Sequence, residues 1–293
     1  MIKRTRGEKI FNVFNYIILT LFAMTTIYPF LYTLTISFST PAEAIKPGLH
    51  ILPNFNQATL DSYIFVLEND TIWLAYKNTI IRTVLGTVLS LLVTCFYGYA
   101  LSRPNLPCKK FFSGYIMFTM LFGAGKIPVF LNLKQLGLID SFWVYILPTL
   151  VGAYNVVVAK SFFASLPESL NESARIDGAG EFRIFFQIVV PLSKPIIMTL
   201  ALWIAVSHWN AWLDAMLYMN DARYIVLQQY LQKITGAAAT QLATAINPEE
   251  NKEILGVTLQ SASIMAAVIP ILCVYPFIQK YFVKGVTLGA VKG

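Results

Sequence analysis

Few residue groups in the 293-residue chain could do chemistry by themselves. Gly123-Ala124-Gly125-Lys126 has the end of a phosphate-cradling loop, but that loop needs glycine at position 120 and Ser or Thr after the lysine, where Met120 and Ile127 stand. Gly178-Ala179-Gly180 opens like a dinucleotide fingerprint, yet Arg183 occupies the place of its third glycine. His50 and His208 lie far apart with no ligand spacing around them, and there is no G-x-S-x-G. Cys95, Cys108 and Cys273 have no metal or disulfide spacing and are expected to be buried, inert thiols. The chain is therefore expected neither to bind ATP nor to act as an enzyme. The polar groups that remain are suited to holding a solute. Trp203, Ser207, Asn210 and Asp214 fall at i, i+4, i+7 and i+11, which is one helical face. Such a stripe in an apolar helix faces a cavity or a partner helix, not lipid.

The elements that must position these groups follow from composition. The chain is 56% hydrophobic and 13% charged, with a mean hydropathy of +0.61. A soluble domain carries roughly 25% charged residues, so half the usual solvated surface is missing. Collagen, coiled coil, disordered tail, disulfide-stapled secreted domain and nucleic-acid-binding domain are excluded. Residues 10–42, 83–102, 141–159, 195–213 and 254–279 contain no Asp, Glu, Lys or Arg, and 111–125 is a shorter such stretch. About 20 apolar residues suffice to span a bilayer, and six spanning helices are expected over about 11–37, 77–101, 111–122, 141–163, 192–213 and 254–282. The first is too long for a signal-peptide core of about 7 to 15 residues and reads as a retained span.

With both termini in the cytoplasm, the inside segments hold fourteen of the twenty-two Lys and Arg and only five of the fifteen Asp and Glu. The positive-inside rule favours that orientation. The chain divides into residues 1–37 with the first helix, an external segment 38–76, a core 77–282 and a tail 283–293. A self-sufficient transporter or channel would need ionisable residues within its spans, and the sequence places Arg82 and Asp214 near span ends.

The longest cytoplasmic segment, 165–191, has its own grammar. Ser165 and Glu168 have capping-box spacing, and Pro167 suits a first helical turn. Gly178 and Gly180 each cost about 1 kcal/mol in a helix interior. A polar helix of about eleven residues should therefore end at Asp177, with Gly178 as a left-handed cap. A second helix carrying Phe182, Phe185, Phe186 and Ile188 should lead to Pro191. Small residues around the turn form a knob that a groove on another protein could accept. The alternative reading is an ordinary connector.

Glu172-Ser173-Ala174, then Gly178, then Ile188-Val189-Val190-Pro191 resembles the EAA signature of ABC importer permeases, with Ser173 and Val190 as departures conservative in size. Residues 176–180, the run His208–Met216 and the tail 281–293 resemble the carbohydrate branch, the MalG and LplC-like members. The resemblance implies an all-α integral membrane protein with the type I importer permease fold in a bacterial cytoplasmic membrane. It implies a second homologous permease subunit, a dimer of ABC ATPase subunits holding ATP and Mg, an extracytoplasmic solute-binding protein and a carbohydrate substrate. No cofactor is implied on this chain, and no nucleic acid. Glu172, Ser173, Ala174, Asp177, Gly178, Ala179 and Gly180 are the implied ATPase-coupling residues, and Gly289, Lys292 and Gly293 of the tail are implied to reach the ATPase interface. Asn155, Ser207, Trp209, Asn210, Trp212 and Asp214, with Tyr154 nearby, become candidate pathway lining, because sugars offer hydroxyls to Asn and Asp and apolar ring faces to Trp. The competing reading puts Trp209 and Trp212 in the interfacial aromatic belt and bonds Asn210 to a neighbouring helix.

Overall fold

In a computed structural model of the full chain, the structure describes residues 5–44, 46–55, 57–244, 256–273 and 276. Helices follow one another in the order α1 (Arg6–Ser37), α2 (Pro41–Ala44), α3 (Asp61–Glu68), α4 (Asp70–Ser102), α5 (Lys109–Leu121), α6 (Lys126–Gln135), α7 (Ala153–Ala164), α8 (Glu168–Ile176), α9 (Glu181–Ile184), α10 (Val190–Leu192), α11 (Lys194–Asn210), α12 (Leu213–Tyr218), α13 (Leu227–Thr244) and α14 (Gly256–Cys273). They form two compact units, residues 1–70 with 231–270, and 71–230 with 271–293.

In the first unit, α1 opens with a capping box: Glu8 N donates to Thr5 Oγ1 at 3.3 Å and Thr5 N to Glu8 Oε2 at 2.8 Å. The helix runs unbroken through Pro29. None of its most apolar window is buried, so it is apolar all round, the signature of a helix solvated by something other than water. Past its end, Thr59 N donates to Phe38 O at 2.9 Å, and Ser37 and Tyr63 share a hydroxyl hydrogen bond of 2.8 Å.

The second unit is built on α4, which begins at Asp70 instead of the expected Lys77. Its 33 residues reach about 50 Å at 1.5 Å per residue, longer than the hydrocarbon thickness of about 30 Å. Small residues let neighbours come close. A Cβ on Gly86 would stand 2.4 Å from His208 Nε2, and one on Gly98 would stand 2.7 Å from Ala159 Cβ and 3.1 Å from Lys160 N. Gly98→Val is expected to cost about 1–3 kcal/mol by overpacking, because backbone lies behind the contact. A detergent-solubilised variant that melts at the wild-type temperature would contradict the close crossing. Tyr99, Phe163, Ile184, Phe185 and Leu200 form one core cluster, and Tyr145, Ile146, Ala215, Tyr218 and Val226 another.

Among the described residues, three helices are long and apolar enough to cross a membrane unbroken, α1, α4 and α14, and three bent helix pairs bring the number to six if each pair makes one crossing. The expected third span stops at Leu121, and α6 folds away at 116° after Gly125, whose φ of +79° no ordinary side chain favours. The expected continuous fourth span is instead a pair of 3₁₀ turns, Phe142–Tyr145 and Leu147–Thr149, bent by 48° from α7, with Pro148 and Gly152 at the interruption. The expected fifth span begins only at Lys194, at 84° to the segment before it, where Pro191 and Pro195 flank Ser193. It stops at Asn210, not Leu213. The expected sixth span is described over Gly256–Cys273. Of the cysteines expected to be buried, only Cys95 is; Cys108 and Cys273 are exposed. Cys108 sits in the irregular backbone before α5 at φ +54°, outside any packed helix face.

Candidate functional site

The segment between α7 and α10 forms the helix and turn the sequence anticipates, with one correction at its start. The expected capping box is absent: Pro167 is the N-cap without a side-chain bond, and Ser165 Oγ donates to Phe162 O at 2.7 Å. Glu168 is free to bond elsewhere, and α8 has nine residues instead of about eleven. Asn171 and Ala174 face inward, while Glu172, Ser173, Arg175 and Ile176 face out. Ala174 thus packs into the chain's own core. At the far end Ala179 N donates to Ala174 O at 2.9 Å and Gly178 N to Arg175 O at 3.0 Å, the two bonds of a Schellman cap. Gly178 sits at φ +75° to make it, and a Cβ there would meet nothing within 4 Å. Gly180, at φ −74°, is in ordinary backbone space. A π-helical turn, Phe185–Val189, follows α9 and gives way at Pro191, which has no N–H to continue it. Asp177, Gly178 and Gly180 are exposed and Ala179 half-buried.

Sequence reasoning missed what holds this segment. Glu181 Oε1 accepts from Arg175 Nε at 3.0 Å and Nη2 at 2.9 Å, and Glu181 Oε2 accepts from the Tyr99 hydroxyl at 2.8 Å. Glu168 lies 3.7 Å from Arg175 through Oε1 and 3.5 Å from Arg103 through Oε2. Arg103 lies over the Tyr99 ring at 4.4 Å. The spacings that could have signalled it are Glu168 and Arg175, two turns apart on α8, and Tyr99 and Arg103, four residues apart where α4 ends. Burial pushes the Glu181 carboxyl up, but the bonds from Tyr99 and Arg175 and the nearby guanidiniums outweigh it and hold its pKa low. A lowered carboxyl stabilises the fold above the ordinary carboxylate range and loses that contribution as pH falls through its folded value. Beside these side chains is a cavity of about 390 Å³ walled by Phe96, Leu106, Pro107, Phe182 and Phe185.

The pathway candidates are only partly brought together. Tyr154 on α7 and Trp203 on α11 meet with ring centroids 5.9 Å apart, and Ser207 is exposed one turn on. Asn210 Nδ2 donates to Val206 O at 3.0 Å, and its Oδ1 accepts from Gln228 at 3.5 Å. The expected continuous face ends there, because Ala211 and Trp212 break the helix and put Asp214 on α12. Asp214 pairs with Arg82, which is 1% exposed, also donates to Ala211 O at 3.2 Å, and lies 4.6 Å over the Tyr145 ring. The pair is a clamp across the helix break, and Asp214 is not a free pathway carboxylate. Asn155 is half-buried against Gly152. Trp209 and Trp212 are also half-buried. Gly289, Lys292 and Gly293 lie outside the described residues.

Apolar helices, some long and some bent, together with the exposed polar helix and turn after α7, are the features of a multi-pass membrane protein. The whole chain answers to one family. It belongs to the binding-protein-dependent transport system inner membrane components, whose family model matches residues 1–288. It is 38% identical over 292 residues to the polygalacturonan/rhamnogalacturonan transport system permease protein YtcP of Bacillus subtilis (strain 168), covering 98% of this chain and 99% of that one. It is 39% identical over 295 residues to protein LplC of the same organism, covering 99% and 97%. A crystal structure of a bacterial ABC transporter involved in the import of the acidic polysaccharide alginate contains a chain that superposes with a TM-score of 0.86 at 33% identity, covering 96% of this chain and 100% of that one.

Proposed function

We propose that this chain is the membrane-spanning, non-catalytic subunit of an ATP-driven importer of oligosaccharides. The reading takes six crossings with both termini in the cytoplasm, a second homologous permease beside it, two ATPase subunits that hold ATP and Mg, and a solute-binding protein that delivers the sugar. The observation that carries it is the turn at Gly178, a Schellman cap on an outward-facing polar helix with open space where a side chain would be. Glu172, Ser173, Asp177, Gly178, Ala179 and Gly180 meet the ATPase, Ala174 supports them from within, and the tail with Gly289, Lys292 and Gly293 reaches the same partner. Tyr154 and Trp203 give this chain's share of the pathway a surface for sugar ring faces, with Ser207 and Asn155 as hydroxyl partners. The carbohydrate transported by YtcP and the alginate importer's cargo support that substrate class.

The test is purification through a tag on this chain. A second permease and an ATPase should come with it, and reconstituted with its binding protein the assembly should hydrolyse ATP faster on addition of oligogalacturonides, alginate oligosaccharides or maltodextrins. Glu172→Ala should lower ATPase recovery several-fold. Solitary purification, or sugar uptake into vesicles without ATP, would reject the reading.

A further inference from the structure

The side chains around α8 close on themselves. Tyr99 binds Glu181, Glu181 binds Arg175, Arg175 faces Glu168, Glu168 faces Arg103, and Arg103 lies on Tyr99. Tyr99 comes from the last turn of α4, Arg103 from the residue just past it, Glu168 and Arg175 from α8, and Glu181 from the first turn of α9. We infer that this ring is the joint that makes α8 and the adjoining end of α4 a single moving body, so that a displacement of α8 is delivered to the long span directly. The inference rests on the reading of α8 as the ATPase-docking element.

Apart from the ring, α8 meets the core that holds Cys95 and Tyr99 of α4 through the small side chain of Ala174. It hangs between Pro167 and the glycine turn, and a nine-residue helix carries too short a face to be fixed by its own packing. The cavity of about 390 Å³ lies beside the ring, and Tyr99, Arg103, Arg175 and Glu181 are among its walls. Beside the single small contact of Ala174, the directional links between the two elements are the polar ties of the ring. Glu181 is the central one, since one carboxylate oxygen is held from α8 by two Arg175 nitrogens and the other from α4 by Tyr99. Glu168 repeats the arrangement, with Arg175 on one oxygen and Arg103 on the other. A guanidinium holding a carboxylate through two nitrogens fixes direction as well as distance. Glu168, Arg175 and Glu181 are all partly exposed, with side-chain exposures of 41%, 39% and 53%. Exposed pairs add little to stability, and Tyr99→Phe with Glu181→Gln keeps the shape of both side chains, so this double variant should fold and assemble.

The experiment measures whether α8 and α4 keep their spacing through the ATP cycle. In the importer assembled with its ATPase and with its native cysteines replaced by serine, spin labels at Ser169→Cys on α8 and Asn105→Cys just past α4 report the distance by electron paramagnetic resonance. One narrow distribution is expected, identical without nucleotide and with ATP and vanadate. In the Tyr99→Phe, Glu181→Gln double variant, with ATPase recovery at the wild-type level, the distribution should broaden or shift on adding ATP and vanadate. The inference falls if the double variant stays narrow and unmoved, or if the wild-type distance itself changes between the two states. A wild-type chain that recovers no ATPase would overturn the docking reading and the joint with it, a failure visible before any ring variant is made.

Discussion

Gly178→Glu is expected to abolish ATP-driven uptake while leaving the membrane-embedded helices folded. Two costs separate cleanly at this position. An L-residue at φ +75° pays about 1–2 kcal/mol for left-handed backbone, a strain the surrounding helices can absorb. The side chain itself meets nothing within 4 Å of its own chain, so any larger loss comes from whatever occupies that space in the assembly. Gly178→Asn is the control, because Asn adopts left-handed backbone readily and adds less bulk without charge. The expected order of ATPase recovery is wild type, then Asn, then Glu at background, with similar melting temperatures for all three detergent-solubilised chains. If the Glu variant takes up sugar at the wild-type rate, the docking of this turn is wrong.

Asp214→Ala is expected to be the most damaging single change to stability. It would leave the Arg82 guanidinium, 1% exposed, without its counter-ion among apolar neighbours. Removing one partner of a buried pair costs about 3–5 kcal/mol, more than replacing both by apolar residues of similar volume. Arg82 also meets Ala211 O at the end of α11, where its charge suits the negative pole of the helix. The double variant Arg82→Met, Asp214→Leu should therefore recover much of the lost stability. Thermal unfolding in detergent checks both, and a single variant as stable as wild type would show that the pair is not a clamp.

The outline of the fold was legible because a bilayer forces long apolar runs, and those runs ended within a few residues of the observed helices at Ser37, Ser102 and Leu121. The interruptions were less legible. Pro148 with Gly152, and Pro191 with Pro195, are ambiguous in a membrane helix, where neighbouring groups can satisfy a freed carbonyl and keep the helix whole. Pro29 lies in an unbroken helix, while Pro148, Pro191 and Pro195 stand at bends. In the site, Gly178 was readable because a left-handed cap is a local property of the chain. The ring of Tyr99, Arg103, Glu168, Arg175 and Glu181 joins residues up to 82 positions apart, and so does not declare itself in local spacing. Ser165 and Glu168 had the spacing of a cap, but Glu168 found cations in space that the linear pattern does not contain.

The grouping of three interrupted segments between whole helices has a mechanical consequence. A continuous hydrogen-bonded rod resists bending along its length, whereas a crossing cut near residues 122–125, 150–152 or 193 can swivel by turning a handful of backbone torsions. α1, α4 and α14 are then the stiff struts, and the three cut crossings are the articulated limbs in which rotation concentrates.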